Sequence, residues 1–323
     1  MVSTHREMVS TVEPFVILNP SAGGGRGKKL WPKIAQRLEK ELGPFQCRAS
    51  RGPGDARRIA AEAASQGCHL LIACGGDGTI HEVVNGLHDA GIHDTSKSSK
   101  KTKLGIISIG TGGDFIKTLK IPPDPLRQIE IIKKGKIGFI DLGQVEYTND
   151  QGDQDRRVFI NITDAGLGAE VVRQVCHSRT LFGRKLAYLT AVLTSYISWK
   201  GKKIDITTEP KVPFLWPQKP LAVVVANGRY FGGGMPIAPD ADPTDGLFDL
   251  VVIGDLSPLK IPLAVPFLYA KKIDRLNGVA TACVRQVTLR SQEKVGLDID
   301  GEPIGFLPAK FSILPKALEV FVP

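Results

Sequence analysis

The stretch HLLIACGGDGTIHEVVNGLHDAG, residues 69–91, decides the fold. An apolar run is cut off by Gly75, Gly76 and Gly78, and the chain then resumes with helical spacing. The reading is strand, turn, helix, with one carboxylate, Asp77, held inside the turn. The same unit recurs on either side. PFVILNP (14–20) is a β-branched run stopped by Asn-Pro and a glycine cluster, and KKLWPKIAQRLEKELG follows with apolar residues at Leu30, Ile34, Leu38 and Leu42. QCRAS reads as a strand, and GDARRIAAEAASQG as an Ala-rich helix that stops at Gly67. KLGIISIGTGGDF (103–115) is another strand entering a glycine turn. Strands alternating with helices predict a parallel α/β layer over residues 1–142.

From KIGFIDLGQVEY onward the texture changes. RRVFINITDAG, KIDITTE, PLAVVVANG, LFDLVVIGDL, CVRQVTLRS and VGLDIDGE are short β-type runs between turn residues, with one main helical stretch at about 168–199. They predict a second, mostly antiparallel β domain over residues 143–310, with the boundary near 135–145. The last strand, ALEVFVP, falls in 311–323, where it can pair with either domain.

The 42 Lys and Arg outnumber the 33 Asp and Glu, a formal charge of +9 that favours an anionic partner: a nucleotide, a nucleic acid or an anionic membrane face. Cys47, Cys68, Cys74, Cys176 and Cys283 form no CxxC pair, which fits a reducing cytosol. MVSTHREMVSTVEP lacks the apolar core of a secretory signal. The best candidate span, LAYLTAVLTSYISW (186–199), is short and interleaved with Thr and Ser. The expectation is a soluble, cytoplasmic protein that touches a membrane peripherally. The basic, Ser-rich DTSKSSKKTK (94–103) is read as a solvated loop, with anionic lipid headgroups as the functional alternative.

Three glycine turns follow apolar strands: NPSAGGGRG (19–27), GGDGT (75–79) and GTGGD (110–114). In a parallel sheet these lie at the carboxyl ends of the strands, where glycine lets backbone amides approach phosphate oxygens. None matches the GxxxxGK[ST] loop, and none follows its strand as a GxGxxG dinucleotide fingerprint. Near the other end, LDIDGEP spaces Asp298, Asp300 and Glu302 on alternate residues, so in a strand they share one face until Gly301 turns the chain; an Asp-Gly hairpin is the plain alternative. PDADPTDGLFD crowds four carboxylates among turn formers, which suits either a hard cation or simply a turn.

NPSAGGG, GGDGTIHEVVNGL, GTGGDF, GGGMPIAPDADPTDGLFDL and DIDGEP together resemble the diacylglycerol kinase catalytic-domain family, which includes bacterial diacylglycerol kinases, YegS-like lipid kinases, sphingosine kinases and ceramide kinases. The resemblance runs over nearly the whole chain. It implies ATP-dependent phosphorylation of a lipid hydroxyl between an α/β nucleotide domain, of the kind seen in NAD kinase and phosphofructokinase, and a β-sandwich. It implies nucleotide contacts at Asn19, Pro20, Ser21, Ala22 and Gly23, at Gly75, Gly76, Asp77, Gly78, Thr79, Ile80 and His81, at Thr111 and Asp114, and at Ser50, where the family usually has Thr. Asp77 and Asp114 are suitable Mg²⁺ ligands, with turn capping the plainer role for Asp77. The resemblance selects Glu302 as the proton acceptor, with Asp300 as neighbour and alternative. It also implies a structural Mg²⁺ held by the Asp245 side chain and backbone oxygens of Asp242 and Leu247.

Two positions depart from the family pattern. Gly113 precedes Asp114 where GTxND is usual, and His81 stands where Asn is frequent. The expected partners are ATP, a lipid alcohol whose chains meet apolar residues of RTLFGRKLAYLTAVL, and an anionic membrane surface, with no nucleic acid and with a homodimer left open. Two alternatives are an NAD kinase, which shares the GGDGT turn, and a non-catalytic lipid or nucleotide sensor.

Overall fold

The computed structural model describes residues 13–91, 102–177, 199, 201–213, 216–254, 267, 270, 273 and 276–323. Most of DTSKSSKKTK, and RTLFGRKLAYLTAVL with the rest of the helical stretch beyond residue 177, lie outside the described residues.

The first half alternates as β1 (Phe15–Leu18), α1 (Ala22–Leu42), β2 (Gln46–Ala49), α2 (Asp55–Ser65), β3 (Leu70–Gly75), α3 (Asp77–Asp89) and β4 (Lys103–Ser108). All these strands pair in parallel, in the order β2-β1-β3-β4. β3 sits at the centre, which is why it reads as an unbroken apolar run rather than an alternating one. The opening of α1 is not helical: Gly23, Gly24 and Gly25 take φ of 62°, 69° and 93°, so the glycine loop extends into the region that pattern reading gives to a helix. Two helices absent from the sequence reading follow β4: α4 (Asp114–Thr118) and α5 (Pro125–Lys134). In α5 the Asp124 side chain accepts from Leu126 N–H at 3.1 Å, Pro125 opens the first turn and Gly135 closes the last at φ 73°.

The second half comprises β5 (Ile137–Thr148), β6 (Gln154–Phe159), β7 (Ile162–Gly166), α6 (Leu167–His177), β8 (Asp205–Glu209), β9 (Ala222–Ala226), β10 (Phe248–Ile253), β11 (Val279–Val284), β12 (Gln286–Arg290), β13 (Gly296–Ile299) and β14 (Glu302–Phe321). Its pairings are antiparallel, in the order β11-β10-β9-β7-β13-β14, with β12 and β5 also on β14. RRVFINITDAG, one run by pattern, is two strands broken at Ile160–Asn161.

Two apolar cores result. Ile17, Leu71, Ile72, Val83, Leu104 and Ile107 fill the first, while the rings of Phe159, Phe248 and Phe311 centre the second, stacked at 5.6 Å and edge-on at 6.4 Å. β5 and β14 run side by side through both. β5 gives Ile140 and Leu142 to the first core and Val145 and Tyr147 to the second. β14 gives Ile304 and Phe311 to the second and Leu318 and Val320 to the first, where Val320 pairs in parallel with Leu104 of β4. A register shift between Leu314 and Leu318, with Lys316 at φ 51°, marks the crossing.

Candidate active site

The three glycine turns pack into one cluster at the carboxyl edge of β1, β3 and β4. Asn19 donates its amide to Thr79 Oγ1 at 2.9 Å and accepts from Ser21 N–H at 3.0 Å, tying the first turn to the second. A Cβ on Gly110 would lie 2.7 Å from Gly76 Cα, so the second and third turns touch backbone to backbone. A Cβ on Gly23 would lie 2.5 Å from the Ile109 carbonyl, which joins the first turn to the third. These approaches need glycine, whatever φ each adopts. Around the cluster, Asn19, Ser21, Ala22, Ser50, Gly76, Gly78 and Thr79 line a cavity of about 390 Å³ whose wall includes Glu302.

Glu302 reaches that wall from the opposite half of the molecule. Its Oε1 lies 3.8 Å from where a Cβ on Gly78 would stand. The carboxylate is half-buried, and burial pushes it above the usual range against the opposing charges of His81 and Arg157. Asp300 is different. At φ 48° it already belongs to the turn, and its buried carboxylate accepts from Ile160, Asn161 and Ile162 N–H at 3.0 Å each and from His81 Nδ1 at 2.7 Å. Four donors fill its acceptor positions. Asp300 thus pins the β6–β7 break to the β13–β14 turn and has no free lone pair for a substrate proton.

Asp77, between Gly76 and Gly78 in the chain, lines a second cavity. Its Oδ2 accepts from Gly113 N–H at 2.7 Å, so it does cap the third turn, and the neighbouring charge of Asp114 adds to burial in raising its pKa. Asp114 accepts from Gly233 N–H at 2.8 Å and meets Lys117 Nζ at 3.2 Å. Both carboxylates line an apolar cavity of about 150 Å³ with Phe115, Ile160, Ile162, Val172 and Phe231. Asp164 and Asp298, opposite each other in the β7–β13 register, line it too. Burial pushes Asp164 up to about 7, and burial with the neighbouring charge of Asp164 holds Asp298 well above its ordinary value.

The comparisons with known proteins bear on this architecture. Residues 13–145 match the diacylglycerol kinase catalytic domain, and residues 161–322 match the YegS C-terminal NAD kinase beta sandwich-like domain. A diacylglycerol kinase of Bacillus subtilis is 31% identical over 95% of both chains. The chain belongs to the diacylglycerol kinase family. A Serratia proteamaculans relative named "Probable lipid kinase YegS-like" is 27% identical over 96% of this chain and 93% of its own. A diacylglycerol kinase structure from Bacillus anthracis superposes with a TM-score of 0.67 at 20% identity over 97% of each chain, a likeness of fold.

As a member of the diacylglycerol kinase family, the chain has a kinase-like architecture of an α/β layer and a β-sandwich. The geometry sorts the residues expected from sequence. Gly75 packs under Thr79, whose Oγ1 would sit 2.3 Å from a Cβ there. Pro20 and Gly23 stay with the first turn, half-buried. Ile80 belongs to the first core, fully buried, and His81 is 2% exposed and bonded to Asp300, so neither side chain reaches the cavity at the glycine turns. Helical spacing is the cause, since the two positions after Thr79 rotate inward on α3. Thr111 is exposed at the tip of the third turn. Glu82, which sequence reasoning missed, lines the cavity at the glycine turns and accepts from Gly54 and Ala56 N–H at 2.9 and 3.0 Å. Arg157, also missed, lies 4.0 Å from Glu302. No local pattern marks either residue, because both act across elements distant in sequence.

In the PDADPTDGLFD loop, Asp242 Oδ1 accepts from Thr244 N–H and Oγ1, and Asp245 Oδ1 accepts from Leu247 N–H at 2.9 Å. Asp141, fully buried below, accepts from Gly246 and Lys316 N–H. Among the described residues no three His, Cys, Asp or Glu side chains converge as a metal cluster. A cation at Asp245 would therefore need backbone oxygens to complete its shell. Burial and the charges of Asp242 and Asp141 raise the Asp245 pKa, a strain that a cation would relieve.

Proposed function

We propose that the protein transfers the γ-phosphate of ATP to the hydroxyl of a lipid alcohol, diacylglycerol or a relative of it, with Mg²⁺. The carrying observation is the position of Glu302: a carboxylate from β14 stands over Gly78 of the glycine cluster, 3.8 Å from its Cβ position. Amides of the first and second turns are the phosphate cradle in this reading, and α3 adds the positive end of its dipole. Asp77 and Asp114 fit a divalent ion, being two neighbouring carboxylates whose mutual charge raises Asp77. Bound there, Mg²⁺ supplies neutralisation of phosphate charge. A second Mg²⁺ is proposed at Asp245 with carbonyls of Asp242 and Leu247.

The acceptor enters by the apolar cavity that Asp77 shares with Phe115, Ile162, Val172 and Phe231. At about 150 Å³ that cavity holds a headgroup rather than two acyl chains, so the chains remain outside it. The O–H bond of the alcohol breaks as the new P–O bond forms, the proton goes to Glu302, and ADP leaves with the electrons of the old P–O bond. Release of that proton to water follows from the exposed part of the Glu302 side chain.

The test is kcat with a lipid alcohol for E302Q and E302A. Loss of general-base catalysis predicts a fall of about 10²- to 10⁴-fold with little change in the KM for ATP. Wild-type kcat in either variant would remove Glu302 from the mechanism. Phosphorylation of NAD in preference to any lipid would replace the reading with the NAD-kinase one.

A further inference from the structure

His81 is buried beside the base, yet the reaction outlined above gives it no part. Its Nδ1 lies 2.7 Å from Asp300 Oδ2 and its Nε2 lies 3.9 Å from Glu302 Oε2. Asp300, an acceptor to three backbone N–H groups, offers no proton, so Nδ1 is the donor in that contact.

The state of Nε2 follows from Asn85. Val158 N–H donates to Asn85 Oδ1 at 3.1 Å, and Asn85 Nδ2 donates to Val158 O at 2.9 Å, which fixes the amide from both sides. The other Nδ2 hydrogen goes to the carbonyl of His81 itself at 3.0 Å. The 3.3 Å approach of Nδ2 to Nε2 is then a third and longer contact for two hydrogens. A neutral ring with its proton on Nδ1 would leave Nε2 only that shared contact, whereas an imidazolium brings a positive charge within 3.9 Å of Glu302 Oε2.

We infer that His81 is a positioning residue for the base: anchored by Asp300 through Nδ1, it turns Nε2–H toward Glu302 Oε2 and holds that carboxylate over Gly78. The inference rests on the lipid-kinase reading. The charged groups facing this pair are Asp300 from the β13–β14 turn, Arg157 from β6 and Glu82 on α3. Burial lowers the His81 pKa, but the bond and charge of Asp300 and the charge of Glu302 outweigh it and the net direction is upward. In return, the imidazolium opposes the burial that would protonate Glu302. Each group thus favours the charged form of the other.

The experiment combines pH–rate profiles of H81N and H81Q with nitrogen NMR of the histidine rings in the wild-type protein and in E302Q. Removing the imidazolium should move the acid limb of kcat/KM to higher pH and lower kcat by about tenfold or more, with the KM for ATP within about twofold. An unmoved limb at wild-type kcat, or a loss confined to the KM for ATP, would overturn the role. In the wild-type protein both His81 ring nitrogens should be protonated at neutral pH, with a titration midpoint that falls in E302Q. A neutral ring, or a midpoint indifferent to Glu302, would overturn it even if neither histidine variant folds. If the wild-type protein transfers no phosphate to lipid while the midpoint still falls in E302Q, the lipid-kinase reading fails and the His81–Glu302 contact stands.

Discussion

Asp300 and Glu302 are two residues apart and do opposite work. Asp300 collects three backbone amides and one imidazole, so D300N would turn an amide N–H₂ against donors that need an acceptor. We expect D300N to lower stability by about 1–3 kcal/mol, read as a lower denaturation midpoint at unchanged m-value. Glu302 has the freer carboxylate. Its pKa is raised, and only the ionised form accepts a proton, so the rate should rise with pH through a limb above the ordinary glutamate range. A kcat/KM profile flat down to the ordinary range would contradict this. Alternate spacing put Asp298, Asp300 and Glu302 on one face without choosing among them, and the resemblance alone selected Glu302, because nothing in the letters says that the turn begins at Asp300. The replacement at Gly113 is also clearer in the structure: φ there is 65°, a region open to Gly and Asn alike, so the departure removes a side chain and leaves the backbone path intact.

At the scale of elements, the α/β alternation was legible because its signals are local: apolar period, stop residues and turn glycines. The α5 signals, Asp124, Pro125 and Gly135, are equally local. The break between β6 and β7 and the double membership of β5 and β14 were not legible, since both depend on partners more than a hundred residues away. Packing of α2 on α3 rests on Gly86, where a Cβ would lie 2.1 Å from the Arg57 carbonyl. G86A should cost about 1–3 kcal/mol, and an unchanged melting temperature would contradict the packing. The β7–β13 pair gives a pH test. Asp164 binds its proton more tightly folded than unfolded, so this contribution to stability is present at low pH and lost as pH rises through about 7. D164N should therefore gain stability relative to the wild-type protein between acid and neutral pH, and parallel melting curves across that range would count against the raised pKa of Asp164.

Over the whole molecule, β14 links the half that carries the glycine cluster to the half that carries the apolar cavity, and it bears Glu302 at its first residue. The formal charge of +9 adds a long-range term: binding to anionic vesicles should weaken as salt rises, and salt-insensitive binding would exclude electrostatic recruitment. No helix among the described residues is long and apolar enough to cross a membrane. Fold and family were readable in five ordered motifs, while the apolar cavity was not, because it is assembled from α3, α4, β7, α6, β13 and the Phe231 loop, each silent alone. The most direct measurement incubates the purified protein with γ-labelled ATP, Mg²⁺ and a total lipid extract, and identifies the labelled product by mass. Label in a lipid phosphomonoester, absent with E302A, is the predicted result; no label in any lipid, or equal label with E302A, would contradict the account.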